Sequence, residues 1–356
     1  MRMSSRRGRL AVAWSLTLVG LVLLALTMGG GGAVAAKGDD VCPESNDTFQ
    51  AACFLGTDSD ALGFISRADD VDAYRFEVRD YDARVQVSLP DSPLPYRLNL
   101  ANWNGDLIQS SDGGTLQASL TLPGSYYVFV DSGTGQSSDS APYRLAYTVT
   151  YPSQAVPTVL YSAEYRGGPR DVFTESGTNT YSDEDGDYTI DQGRITIAMR
   201  TSGTPDEPAS SKFFLSPEPP DSGPTVEDFT MVIDARMVGE TDDGYTILFR
   251  FIDSDNYYQA EVNLKDQQVA LTKLVDGELE DITDWIDAPN LKADGVNRTV
   301  IRCVGDEIRL NVNGRELARA HDGSFTRGLV GYGATTYGDP PTVNFDNILV
   351  TTPTRR

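Results

Sequence analysis

Between Gly244 and Leu264 the chain reads GYTILFRFIDSDNYYQAEVNL, two alternating runs joined by a polar corner. Tyr245, Ile247, Phe249 and Phe251 take one phase, and Thr246, Leu248 and Arg250 the other. In the second run Tyr258, Ala260, Val262 and Leu264 alternate with Tyr257, Gln259, Glu261 and Asn263. Successive side chains of a strand point to opposite faces, so this period predicts a half-buried antiparallel hairpin. The pattern recurs on both sides of it. Strands are predicted at Val159–Tyr165, Tyr188–Asp191, Arg194–Arg200, Phe229–Val238, Val269–Val275, Thr299–Val304, Ile308–Val312, Glu316–Ala320, Leu329–Ala334 and Val343–Val350. Asp276-Gly277, Gly305-Asp306 and Asn313-Gly314 are hairpin signals between them. The stretch Thr201–Pro224, rich in Pro, Ser and Asp, reads as a long surface loop. Nothing sustains a helical period.

Nearer the N-terminus the same alternation predicts strands at Ala73–Val78, Ala83–Leu89, Tyr96–Ala101, Leu116–Thr121, Tyr126–Val130 and Tyr143–Thr150. The expected fold class is therefore all-β: two antiparallel β-sandwich domains of jelly-roll type, in tandem. They are expected at 37–150 and 159–352, joined by a linker at 151–158, YPSQAVPT. Residues 1–36 read as a signal peptide. A basic start precedes an apolar run from Leu10 to Met28, and Ala33-Val34-Ala35 offers a small-x-small cleavage site before Ala36. The run is also long enough to span a bilayer, which leaves a retained anchor as the alternative. Either way the expected location is secreted or cell surface, with membrane contact only through an uncleaved N-terminal segment.

Charge narrows the partners. The 356 residues carry 52 acids against 29 lysines and arginines, a formal charge of −23. Arg2, Arg6, Arg7 and Arg9 all lie in the export segment, which has no acid, so the remainder is more acidic still. Such a surface repels nucleic acid and anionic lipid, and suits cations such as calcium or simple solvation. The single histidine, His321, follows a strand in ARAHDGS and reads as a solvated loop residue. Zinc sites of the His-rich kinds are excluded, and no G-x-S-x-G elbow supports a serine hydrolase. Of three cysteines, Cys42 and Cys53 are close enough in sequence to close a disulfide in an exported chain, and Cys303 sits in a buried phase.

Particular residues carry two family resemblances. In the first module these are Glu44-Ser45-Asn46-Asp47-Thr48, Asp69-Asp70-Val71-Asp72-Ala73-Tyr74-Arg75-Phe76, Gly124-Ser125-Tyr126-Tyr127-Val128 and Pro142-Tyr143-Arg144-Leu145. It resembles the bacterial pre-peptidase C-terminal domain, the group that includes the collagen-binding domains of secreted clostridial collagenases. That resemblance implies a secreted accessory sandwich without chemistry of its own. It also implies calcium as a candidate ion, held by Glu44, Asn46 and Asp47 with Asp69, Asp70 and Asp72. The other reading has Asn46 and Asp47 capping a turn and the aspartates solvated. Cys42 and Cys53 bracket the first cluster, so a disulfide there can replace the metal as the staple.

In the second module the residues are Asp185-Gly186-Asp187-Tyr188, Asp228-Phe229, Phe249-Arg250-Phe251, Asp255-Asn256-Tyr257-Tyr258, Trp285, Val312-Asn313-Gly314, Gly328-Leu329-Val330-Gly331 and Phe345-Asp346-Asn347. They resemble the concanavalin A-like lectin/glucanase superfamily, in particular its laminin G-like and 3-keto-disaccharide hydrolase-like members. That implies a jelly roll, with Asp346 as a further candidate calcium ligand.

Chemistry is less visible. Glycosidases use two carboxylates across the scissile bond, and glucanases of this superfamily set them on one strand as E-x-D-x-x-E. No strand here has that pattern. Glu278, Glu280, Asp281 and Asp284 cluster in DGELEDITDW, read as an acidic turn. Asp131-Ser132-Gly133-Thr134 has the look of an aspartic-protease loop, but its only counterpart, at Asp221, lacks the strand. Asp183, Asp185 and Asp187 read as a polar turn, since Gly186 is misplaced for an EF-hand. A carbohydrate site needs aromatic faces and planar polar groups, for which Arg250, Asp255, Asn256, Tyr257 and Trp285 are the candidates. The expectation is a non-catalytic exported protein that binds a polysaccharide, glycan or extracellular matrix polymer. The alternatives are a glycoside hydrolase acting on 3-keto-disaccharides or glucans, and a membrane-anchored structural or sensory ectodomain.

Overall fold

A computed structural model describes residues 46–56, 60–112, 114–163, 179–182, 186–191, 194–203, 209–214, 225–239 and 243–354. The export segment, Cys42, Glu44, Asp183, Asp185 and Asp221 lie outside them. Apart from a short 3-10 turn at Phe49–Ala51, every described element is a strand. The first nine are β1 Cys53–Phe54, β2 Asp60–Gly63, β3 Val71–Val78, β4 Ala83–Ser88, β5 Arg97–Ala101, β6 Leu107–Ser111, β7 Thr115–Leu120, β8 Gly124–Asp131 and β9 Tyr143–Thr150. They form a five-stranded sheet, β1-β3-β8-β5-β6, facing a four-stranded one, β2-β9-β4-β7. Strand β4 shows why: Ala83, Val85 and Val87 are buried, while Arg84 and Gln86 face out. Tyr74, Phe76, Tyr96, Tyr126, Tyr143 and Tyr147 fill the space between the sheets with aliphatic neighbours.

The second sandwich uses β10 Val159–Ala163, β11 Asn179–Ser182, β12 Gly186–Asp191, β13 Arg194–Met199, β14 Ala209–Phe214, β15 Phe229–Val238, β16 Gly244–Asp253 and β17 Asn256–Asn263. It continues with β18 Gln268–Val275, β19 Glu278–Asp281, β20 Ile286–Asp287, β21 Asn297–Val304, β22 Glu307–Val312, β23 Arg315–His321, β24 Leu329–Thr336 and β25 Thr342–Thr351. One sheet runs β11-β12-β13-β25-β15-β21-β22-β23, with β10 also on β25. The other runs β14-β24-β16-β17-β18-β19, with β20 also on β18. Two expectations are corrected here. Within the stretch read as one long loop, Ala209–Phe214 pairs with β24 as an edge strand. Glu278–Asp281, read as a turn, pairs with β18. Both are polar edge strands, which lack the apolar alternation that marks a half-buried strand.

The two sandwiches belong to one compact unit, Asp39–Arg356. The outward positions Val232, Val300 and Leu349 of β15, β21 and β25 are buried and form a small cluster with Tyr81 and Val159. Covering three such side chains is worth about 1.5–3 kcal/mol each. Beside them Arg298, fully buried, makes a bidentate pair with Asp234, both contacts at 2.7 Å. Its guanidinium lies 4.4 Å from the Trp103 ring centroid and donates to the Ser125 carbonyl of the first sandwich. Gly124 is required beside it, because any Cβ there would strike the guanidinium. Thr354 donates from N and Oγ1 to buried Asp80, and Thr351 Oγ1 donates to the Arg79 carbonyl.

Candidate functional site

The seven-stranded sheet turns Tyr245, Ile247, Phe249, Tyr258, Ala260, Val262, Val269, Leu271, Val330, Tyr332 and Ala334 into the core. The opposite phase makes an outer face, and register defines its rows. One row is Gly331, Leu248, Gln259, Thr272 and Asp281 across β24, β16, β17, β18 and β19. The next is Gly333, Thr246, Glu261 and Ala270. Thr246, Leu248, Ala270 and Thr272, all buried, thus flank two half-buried polar side chains, Gln259 and Glu261, on the central strand. Toward the hairpin tips Tyr257 faces Leu274, and Leu274 faces Leu279, which is 61% exposed. Phe251 packs on Tyr257 with ring centroids 5.5 Å apart. The face therefore joins an apolar, aromatic end to a polar middle.

Glu261 organises the middle. Its Oε1 accepts from Gln259 Nε2 at 2.9 Å and from Thr272 Oγ1 at 3.0 Å. Its Oε2 accepts from Tyr337 Oη at 3.1 Å. Burial pushes the Tyr337 hydroxyl well above its ordinary pKa, and the nearby charge and hydrogen bond of Glu261 push the same way. Tyr337 therefore stays a donor at neutral pH. Its backbone is fixed from below, since buried Asp243 accepts from Tyr337 N at 3.0 Å and Thr336 Oγ1 at 2.8 Å. Three donors on one carboxylate hold three planar or hydroxyl groups in fixed directions, as recognition of a polyol requires. Asp281, the other carboxylate in these rows, is two strands away and one row over.

The sequence candidates are distributed differently. Arg250 does not reach the outer face. It sits at φ 47° in a bulge that shifts the register of β16, and the bulge turns the arginine inward and Phe251 outward. Fully buried, its guanidinium donates to the carbonyls of Glu227, Gly305 and Phe325 at 2.7–3.3 Å. Gly328 faces the bulge, where a Cβ would strike the Arg250 and Phe251 backbone. Asp255 and Asn256 occupy the β16–β17 corner. Asn256 donates to Asp253 and accepts from Asp276 N at 3.1 Å, and the Asp255 carbonyl accepts from Gly277 N at 3.0 Å. They clamp two neighbouring hairpin tips. Tyr257 is on the face but almost fully buried, and Trp285, 43% exposed, lies between β19 and β20. Gln259, Glu261, Thr272 and Tyr337 were not singled out from the sequence. The phase of Gln259 and Glu261 was visible, but the other two donors to Glu261, Thr272 and Tyr337, come from β18 and the turn after β24.

Most of the described residues of the proposed calcium sets have protein partners of their own. Asp70 accepts from Ser66 N and Oγ at 2.6 and 2.7 Å, Asp72 accepts from Tyr143, and exposed Asp69 pairs with Arg67 at 3.5 Å. Asn46 is buried, with its carbonyl accepting from Ala73 N, and Asp47 is exposed. Asp346 accepts from the next amide, Asn347 N, at 2.7 Å. Among the described residues no three His, Cys, Asp or Glu side chains form a metal cluster. Cys53 is disulfide-bonded, and its expected partner Cys42 lies outside the described residues. Asp131 is held by Arg97, Asn99 and Gly133, as a strand-end anchor rather than a catalytic acid. Asp187 is taken up by Ser182 and Arg200.

No family model matches the chain, and no curated protein matches it. Solved structures resemble parts of it. A carbohydrate-binding module, CBM66, from Bacillus subtilis covers 49% of this chain and 92% of its own at 20% identity and TM-score 0.32. A Bacillus subtilis protein of unknown function with a galectin-like fold covers 56% and 100% at 13% identity and TM-score 0.40. The catalytic domain of a laminarinase from Thermotoga petrophila covers 56% and 99% at 11% identity and TM-score 0.37. Likenesses this distant carry no argument about activity.

Proposed function

We propose that the outer face of the seven-stranded sheet binds a polysaccharide, without cleaving it, in an exported protein. The observation that carries this reading is Glu261, fixed by Gln259, Thr272 and Tyr337 beside the Tyr257–Leu274–Leu279 row. A sugar ring offers an apolar face and a rim of hydroxyls, and this surface offers the complement of both. Hydrolysis needs a second carboxylate opposite the first. Glu261 instead spends both oxygens on protein donors. Affinity electrophoresis of the full chain through gels carrying neutral β-glucan, fructan or xylan tests the reading. Retardation by at least one polymer is expected, weakened about tenfold or more in Glu261→Ala. Equal mobility in every gel would overturn it, and release of reducing sugar would replace it with the hydrolase reading.

A further inference from the structure

A cavity of about 450 Å³ opens in the second sandwich between β10, β24, β25 and the segment Thr225–Asp228. Its apolar wall is Leu160, Val226, Val330, Val350 and Pro353. Val226, Val330 and Val350 belong to the buried core, so the cavity reaches the hydrophobic interior, while Leu160 is 41% exposed. Tyr161, Thr225 and Thr352 and two acidic residues, Glu227 and Asp228, complete the lining, and no lysine or arginine is part of it.

The acid-bearing wall is fixed. The Glu227 carbonyl accepts two hydrogen bonds from the buried Arg250 guanidinium. Asp228 Oδ1 accepts from Gly305 N at 2.9 Å, and Val226 bridges Gly328. Arg250, which is not part of the lining, therefore positions this segment. Arg327, outside the lining, donates from Nη2 to Thr225 Oγ1 at 3.3 Å.

We infer that this cavity binds an organic cation: an ammonium group carried on a short aromatic or aliphatic stem. The stem would fill the Leu160–Val226–Val330–Val350 wall and displace water from it. The ammonium would sit between Glu227 and Asp228. The volume falls within the range of ordinary small-molecule sites. The charge complementarity is local, and the acidic protein as a whole adds steering toward cations. This site is separate from the polysaccharide face and does not depend on it.

Benzylammonium titrated into the full chain, followed by methyl NMR, is the test. Saturable shifts of Val226, Val330 and Val350 are expected. Benzyl alcohol, which has the stem without the charge, and tetramethylammonium, which has the charge without the stem, should each bind about tenfold or more weakly. Glu227→Gln with Asp228→Asn should weaken benzylammonium to the level of benzyl alcohol. The Asn side chain keeps an oxygen for Gly305 N, and an unchanged melting temperature confirms that the variant is folded. No saturable shift at millimolar ligand, equal binding of the alcohol, or an unaffected double variant would each overturn the assignment.

Discussion

Arg298 is buried and paired at the joint between the sandwiches, and replacing it by Met removes the charge while keeping much of the volume. Asp234 would then be left 4% exposed with only Asn347 Nδ2, at 2.8 Å, still donating to it. Removing one partner of a buried pair costs about 3–5 kcal/mol, because the other charge stays desolvated. Unfolding entropy is roughly 2.1 cal/mol/K per residue, so over the unit Asp39–Arg356 the melting temperature should fall by about 4–8 °C. Scanning calorimetry at neutral pH measures this directly. A single transition is expected for the parent protein, since the joint buries an apolar cluster and an ion pair together. Arg298→Met with Asp234→Leu should recover most of the loss, because no buried charge is then unpaired. A fall of less than 1 °C in the single variant would refute the reasoning. So would a double variant no more stable than the single one.

Three further outcomes follow from the same coordinates. Asp322 is partly buried, which opposes its ionisation, yet Lys273 Nζ at 2.8 Å and Tyr258 Oη at 2.6 Å hold its carboxyl well below the usual range. A depressed carboxyl stabilises the fold above its unfolded value of about 4, and that contribution drains away as pH falls further. Asp322→Asn should therefore be less stable than the parent at pH 7, with the difference shrinking toward pH 2 in urea melts; a difference independent of pH would contradict this. Gly328→Ala should cost about 3 kcal/mol in the same melts, since the new methyl meets the Arg250 bulge, and a neutral effect would mean the bulge can relax. Cys303 is fully buried, and burial pushes its thiol up to about 12, so iodoacetamide should leave it unmodified in the native protein and label it in guanidinium. Native labelling at a comparable rate would show that the core opens.

Most of the architecture was legible because period-two alternation survives wherever one face of a strand is buried. Tyr245, Ile247 and Phe249 and their partners Tyr258, Ala260 and Val262 face the core as their phase implies. The phase breaks at Arg250. A bulge there depends on carbonyls at Glu227, Gly305 and Phe325, which are distant in sequence and come together only in the folded chain. It moved Arg250 out of the candidate site and Phe251 into it. The edge strands at Ala209–Phe214 and Glu278–Asp281 were missed because edges carry polar, loop-like composition. Glu261 was visible as an outward residue, yet nothing local marked it as special. Two of its three donors come from β18 and from the turn after β24, 11 and 76 residues along the chain.

A crystal structure of the full chain with an oligosaccharide of whichever polymer retards it is the most direct test. The sugar is expected across β17, β18 and β19, against the exposed Leu279 and hydrogen-bonded at Gln259 and Glu261. Density for the sugar at any other surface, with this face bare, would contradict the account.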